Sequence, residues 1–209
     1  TTLFLSIGST VTISNILLPS LIRSYQQLFP EIRLEVIVNN GGYLQQALTD
    51  GRLDIALIED SIHLQDLQAE EFASDQLVLL VPPSHPLAAK HTACIKDLQG
   101  LPFLNRDSGS AVREYTDHIL KDNDVQVDMI WQSTSTRAIV NAVKEGLGIT
   151  ILPYRMCTQD IEQGHVIPVT LKDVSLVRHY YAVTHRQKIM TGALLQWIRL
   201  LQKENDRNY

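Results

Sequence analysis

One strand–helix–strand–helix–strand pattern occurs twice in this chain, and that doubling constrains the fold more than any other feature. In the first copy LFLSIGST (3–10) leads into a helix near 14–28, the strand RLEVIV (33–38) and the turn NNGG (39–42). A helix to about Asp50 and the strand LDIALI (53–58) complete it. In the second copy PFLNRDSGS (102–110) leads into a helix near 110–122, the strand VQVDMIW (125–131) and STST (133–136). A helix to about Glu145 and GITILP (148–153) follow. Strands alternating with helical patterns predict an α/β architecture with largely parallel sheets. Two such units predict two Rossmann-like lobes with a ligand crevice between them.

With 209 residues and 44% hydrophobic content, the chain can bury one large core or two small ones. QLVLLVPP (76–83) reads as an apolar strand closed by two prolines, and SHPLAAKH (84–91) as the extended stretch where the chain leaves the first lobe. SLVRHYYAV (175–183) reads as the returning strand. It precedes a C-terminal helix with Met190, Leu194, Trp197, Ile198 and Leu201 on one face. The expected division is therefore 1–82 plus 184–209 for the first lobe and 83–183 for the second, inserted within it.

The helix near 14–28 places Ile13, Leu17, Leu21, Tyr25 and Leu28 on one face. Leu18, Ile22, Phe29 and Ile16 widen it beyond the roughly 100° stripe of a helix buried on one side. Either loops of the same lobe or a second subunit covers the excess. Pro19 falls in the first turns, where its missing N–H is tolerated.

Several function classes are disfavoured. A net charge of −5 and the lack of any Lys/Arg block argue against direct nucleic-acid binding by this segment. Cys94 and Cys157 form no framework and read as reduced thiols of a cytoplasmic protein. His85, His91 and Cys94 come nearest to a metal set, but their spacing fits no familiar site, so neither metal nor cofactor is expected. Nucleophile elbow, Walker loop, HExxH and an acid/base carboxylate pair are all missing, so no enzyme is expected. Asp54 and Asp124 read as structural. No apolar run approaches the roughly 18 to 20 residues of a bilayer span. The first residues lack a basic n-region and read as a strand, and the abrupt start without Met suggests a fragment.

Four helix starts carry the candidate chemistry: Ser9-Thr10, Asn40-Gly41-Gly42, Ser108-Gly109-Ser110 and Ser133-Thr134-Ser135. A helix N-terminus offers unpaired N–H groups and partial positive charge, which suits an anion. Each cluster alone is an ordinary cap. Together they fall beyond the carboxyl ends of strands, where open α/β sheets bind ligands. Arg106, one residue past FLN, either points into the crevice toward an acidic group or pairs with Asp107 at the surface. Arg113 and Arg137 rank below it.

The segment LSIGSTVTISNILLPSLIRSYQQLFPEIRLEVIVNNGGYLQQALTDGRLDIALIE resembles the effector-binding region of LysR-type transcriptional regulators. The elements that carry the likeness are Gly8-Ser9-Thr10, Leu18-Pro19, Phe29-Pro30, and Leu48 through Gly51, Leu53, Asp54 and Ala56. HPLA (85–88), Gly109-Ser110 with Arg113, and VKEGLGITILP (143–153) extend it over essentially the whole chain. The resemblance implies a type 2 periplasmic-binding-protein-like fold and a small, polar, anionic effector held by Ser9, Thr10, Gly41, Asn105, Arg106, Ser110, Ser133 and Thr134. Gly41 stands where some relatives carry a hydroxyl, leaving backbone donors there. The resemblance also implies a cytoplasmic homodimer through Leu18, Ile22, Tyr25 and Phe29, tetrameric at full length. Contact with DNA would come only through a winged helix-turn-helix missing from this chain, and none with membrane. A solute-binding protein of a transport system is the alternative on the same fold.

Overall fold

The computed structural model describes residues 4–59 and 64–205. The chain divides into two compact units, Thr1–Ser74 with Arg178–Tyr209, and Asp75–Val177. The crossings at 74/75 and 177/178 lie before the expected 82/83 and 183/184. The first falls within a 15-residue strand whose first half breaks the apolar run with the exposed Gln68, Glu70 and Glu71. The prolines at 82 and 83 end that strand and not the unit.

The first unit starts with β1 (Phe4–Ser9), α1 (Val11–Ile16) and α2 (Leu18–Leu28). A single helix was expected over the last two. The break at Leu17 follows from Pro19, which has no N–H for the Asn15 carbonyl and whose ring crowds it. Then come β2 (Arg33–Val38), α3 (Gly41–Thr49), β3 (Ile55–Glu59) and β4 (Leu67–Val81). β1 is parallel to β2 from Phe4↔Arg33 to Ser9↔Val38, and parallel to β3 from Ile7↔Ile55 to Ser9↔Leu57. Period-2 alternation buries both faces of this sheet. Leu5, Ile7, Ile55 and Leu57 face one cluster with Leu21, Tyr25 and Trp197, while Ala56 and Ile58 face Leu44, Ala47 and Leu48 of α3. Gly8 is sterically required, since a Cβ there would lie 2.7 Å from Leu53 Cδ1 and 2.8 Å from Leu44 Cδ2.

The second unit takes up β5 (Thr92–Ala93), a 3₁₀ turn (Ile95–Leu98), β6 (Pro102–Arg106), α4 (Ala111–Asp122) and β7 (Asp128–Ser133). It continues with α5 (Thr136–Lys144), β8 (Thr150–Pro153), α6 (Tyr154–Glu162) and β9 (Ile167–Leu171). β6 and β7 are parallel, with a register shift between Phe103 and Leu104. β8 touches β6 in parallel through Phe103↔Ile149 and runs antiparallel to β4 from Leu77↔Pro153 to Leu80↔Thr150. β4 also pairs antiparallel with β9, and β9 in parallel with β5. Gly148 allows the β6 approach, because a Cβ there would meet the Pro102 carbonyl oxygen at 2.6 Å.

The chain returns through β10 (Val177–His185), antiparallel to β3 from Tyr180↔Glu59 to Val183↔Ala56, and ends in α7 (Gly192–Asn205). Both repeats thus have their third strand flanked by a parallel and an antiparallel neighbour, so each sheet is mixed and not wholly parallel. α7 resolves the wide arc of α2. Tyr25 Oη donates to the Ala193 carbonyl at 2.8 Å and its ring meets Trp197 edge-on at 5.2 Å. Leu18 and Tyr25, expected at a subunit interface, are instead in this unit's own core, while Ile22 and Phe29 pack only partly against it. Leu28 is 62% exposed, and Met190 lies ahead of α7 and also faces out.

Candidate functional site

Each unit carries a polar group of residues at the carboxyl ends of its strands. In the first, Ser9 closes β1 and its Oγ donates to the Thr10 carbonyl at 3.1 Å. Thr10 stays extended, its N–H donating to the Leu57 carbonyl at 3.1 Å. The residue is 5% exposed, yet its hydroxyl caps nothing and has no hydrogen-bond partner among the described residues. Asn40 behaves differently. Its Oδ1 accepts from Tyr43 N at 2.9 Å, an ordinary cap of α3, which leaves Gly41 to offer backbone alone. A Cβ on Gly41 would meet Ile58 Cγ2 at 3.5 Å, an ordinary contact, so glycine is not sterically required there.

Glu59 was not among the residues read from the sequence. It closes β3 in register with Tyr180 and is 3% exposed. Neither carboxylate oxygen has a hydrogen-bond partner among the described residues. Its one signal in the sequence is an acidic residue ending an otherwise apolar strand.

In the second unit Asn105 and Arg106 end β6. Asn105 is fully buried; its Oδ1 accepts from Arg106 N at 2.8 Å, and its Nδ2 has no partner among the described residues. Arg106 is buried and occupied. It donates from Nε to the Ser133 carbonyl at 3.2 Å, from Nη1 to Thr136 Oγ1 at 3.1 Å and from Nη2 to Asp107 Oδ1 at 3.3 Å. The pairing with Asp107 is therefore present, but as part of a buried clasp joining β6, β7 and α5.

Ser110 lies at the start of α4, a helix of 12 residues, with its backbone still extended. Its hydroxyl makes no capping bond. That hydroxyl is therefore uncommitted, at a helix end whose first N–H groups carry partial positive charge. Ser133 and Ser135 are committed: Ser133 Oγ accepts from Ser135 N at 3.1 Å, and Ser135 Oγ accepts from Ala138 N at 3.3 Å. Thr134 between them is exposed.

The lower-ranked arginines are engaged elsewhere. Arg113 pairs with Asp117 one turn on, at 2.6 Å. Arg137 pairs with Asp160, which Lys144 also holds at 3.0 Å. Burial pulls the Asp160 carboxyl up, but the bonds from Lys144 and Arg137 outweigh it and hold it below the usual range. Asp124 sits in a left-handed turn (φ 51°), its carbonyl accepting from Lys96 Nζ at 3.2 Å. Among the described residues there is no cluster of three metal-ligating side chains, and no helix long and apolar enough to cross a membrane.

Known proteins resemble this arrangement along its whole length. The family model of the LysR substrate binding domain matches residues 4–206. The uncharacterized HTH-type transcriptional regulator YeiE of Escherichia coli is 31% identical over 192 residues, 92% of this chain and 65% of that protein. The HTH-type transcriptional regulator CysL of Bacillus subtilis is 30% identical over 174 residues, 83% of this chain and 58% of that one. The chain thus spans less than two thirds of the length of these relatives. Among solved structures, the Synechocystis PCC6803 CcmR regulatory domain in complex with 2-PG superposes with a TM-score of 0.88 at 20% identity, over 96% of each chain. The effector binding domain of QuiR in complex with shikimate gives 0.87 at 15% identity, over 100% of each. These likenesses establish the two-lobed, periplasmic-binding-protein-like fold.

Proposed function

Because the chain belongs to the LysR substrate-binding-domain family, we propose that it is the effector-sensing part of a DNA-binding transcriptional regulator and takes a small, polar, anionic ligand. The observation that carries this is Ser110, whose hydroxyl at the start of the long helix α4 caps nothing. A helix N-terminus with an uncommitted hydroxyl stabilises negative charge. Thr10, whose hydroxyl has no hydrogen-bond partner among the described residues, is the comparable group of the first unit. Ligands in similar domains, 2-PG in CcmR and shikimate in QuiR, support a small polar effector.

In this reading the effector is sensed, not turned over. Its binding passes to a separate winged helix-turn-helix through homodimers arranged as a tetramer in the cytoplasm. Ile22 and Phe29, half-buried on one side of α2, are the part of the expected dimer face that the core leaves available.

A thermal-shift screen of this chain against small carboxylates, sulfate and phosphate tests the reading. Ligand at 100-fold its Kd adds roughly 2.7 kcal/mol. At least one anion is expected to raise Tm, with Ser110→Ala weakening its binding by about tenfold. No shift from any anion overturns it.

A further inference from the structure

We propose that Asp107 is an internal competitor of the effector: its carboxylate occupies the place on Arg106 that the ligand's anionic group takes when it binds beside Ser110. The inference rests on the reading above and concerns the regulation of that same site. Every residue it involves belongs to the second unit.

The starting point is an unevenly held guanidinium. Arg106 is 4% exposed, and a buried cation needs close compensation of its charge. Its Nε donates to the Ser133 carbonyl and its Nη1 to Thr136 Oγ1, both neutral acceptors. The negative partner is Asp107, whose Oδ1 lies 3.3 Å from Nη2. Charge-assisted bonds of this kind usually measure about 2.7–2.9 Å. More exposed pairs in the same chain are shorter, with Arg113 to Asp117 at 2.6 Å and Arg52 to Asp50 at 2.9 Å. The buried arginine thus has the looser ion pair, and the carboxylate in it is 38% exposed.

The backbone lets that carboxylate leave. Asp107 N–H donates to the Ser133 carbonyl at 3.1 Å, and the Asp107 carbonyl accepts from Ser110 N at 3.2 Å. These bonds fix the main chain without help from the side chain, which can turn out to solvent while β6 and α4 keep their places. Turning out frees Nη2 next to the turn that leads into Ser110, whose hydroxyl caps nothing. An anion then gains a charged donor and no longer meets a like charge. Ser133 and Thr136 go on holding the rest of the fork. A site that is open only part of the time binds more weakly in proportion to the open fraction. With Nη2 free about one tenth of the time, removing the carboxylate strengthens binding about tenfold.

The test measures sulfate, phosphate and acetate binding to this chain by calorimetry and thermal shift, in wild type, Asp107→Asn, Asp107→Ser and Asp107→Glu. At least one anion is expected to bind both neutral variants about tenfold more tightly than wild type. Asp107→Glu keeps the charge and is expected to stay near wild-type affinity. Without ligand the neutral variants are expected to melt below wild type, because the guanidinium has lost its counter-charge, and saturating anion is expected to close that gap. Neutral variants with a lowered Tm and unchanged affinity would mean that the carboxylate serves the fold alone. That result overturns the proposal and leaves the anion-sensing reading standing. So does weaker binding by the neutral variants, or a gain in Asp107→Glu as large as theirs. No binding of any anion by any of the four proteins overturns both.

Discussion

The guanidinium of Arg106 and the hydroxyl of Thr136 meet at 3.1 Å inside the second unit. The same side chain holds the Ser133 carbonyl at 3.2 Å, so one residue at the end of β6 fixes the end of β7 and the first turn of α5. A planar fork of donors makes this geometry, and an ammonium cannot reproduce it. Arg106→Ala is expected to destabilise the chain by about 2 kcal/mol or more, and Thr136→Val by about 1 kcal/mol. Urea denaturation measures both. A midpoint for Arg106→Ala equal to wild type would show that the clasp contributes nothing.

Ser110 and Ser135 look alike in sequence and differ in the fold. Ser135 accepts from Ala138 N and caps α5, while Ser110 caps nothing. Ser135→Ala should therefore cost about 1 kcal/mol of stability. Ser110→Ala should stay within about 0.5 kcal/mol of wild type and reduce anion affinity instead. Melting curves paired with binding isotherms separate the two roles, and equal stability losses would contradict the distinction.

The architecture was legible because it rests on periodicity. β1, β2, α3 and α4 fall within a residue or two of their expected bounds, Gly148 marks a close backbone approach, and Gly8 leaves room for the Leu53 and Leu44 side chains. The missing parts depend on partners that no local pattern contains. The polar first half of β4 is a strand because it pairs, not because it is apolar. Arg106 was legible as important, but whether it would serve ligand or structure depended on Thr136, 30 residues away. The wide arc of α2 was visible, yet its cover is α7, at the far end of the chain. Glu59 was missed because one acidic residue after an apolar strand does not reveal that both its oxygens stay without a hydrogen-bond partner among the described residues.

Gly8 and Gly41 make a second contrasting pair. A methyl group on Gly8 would meet Leu53 and Leu44 below 3 Å, so Gly8→Ala should cost about 1–3 kcal/mol. Gly41→Ser finds ordinary contact with Ile58 and replaces a poor helix former, so it should be neutral or stabilising by a few tenths of a kcal/mol. The serine would also add a hydroxyl to the first unit's polar group. Thermal melts of both variants check the stabilities. A Gly41→Ser variant as damaged as Gly8→Ala would refute the steric reading.

Ile22 and Leu18 test the proposed dimer against the core. Leu18 is buried within the first unit and Ile22 is only partly so. Ile22→Glu is expected to yield a folded monomer, by placing charge in an apolar interface. Leu18→Glu is expected to unfold the chain. Sedimentation with circular dichroism reads both, and a folded Ile22→Glu dimer at the same concentration would sink the interface.

Asp54 gives the chain a defined response to acid. Its Oδ2 accepts from Ser6 N at 2.7 Å and Ser6 Oγ at 2.8 Å, and its Oδ1 pairs with Lys188. Partial burial works to raise its pKa, but the bonds from Lys188 and Ser6 prevail and hold it below the ordinary carboxylate value. A carboxyl depressed in the folded state contributes its stability above the unfolded pKa and loses it as pH falls through the folded one. Wild type should therefore lose stability from about pH 5 downward more steeply than Asp54→Asn, with the two curves converging in stronger acid. The amide still offers Ser6 an oxygen but gives up the charge toward Lys188, so above that window the variant should be uniformly less stable. Denaturant midpoints across the pH series decide this. Parallel curves at every pH would mean that the Asp54 charge adds nothing in the folded state.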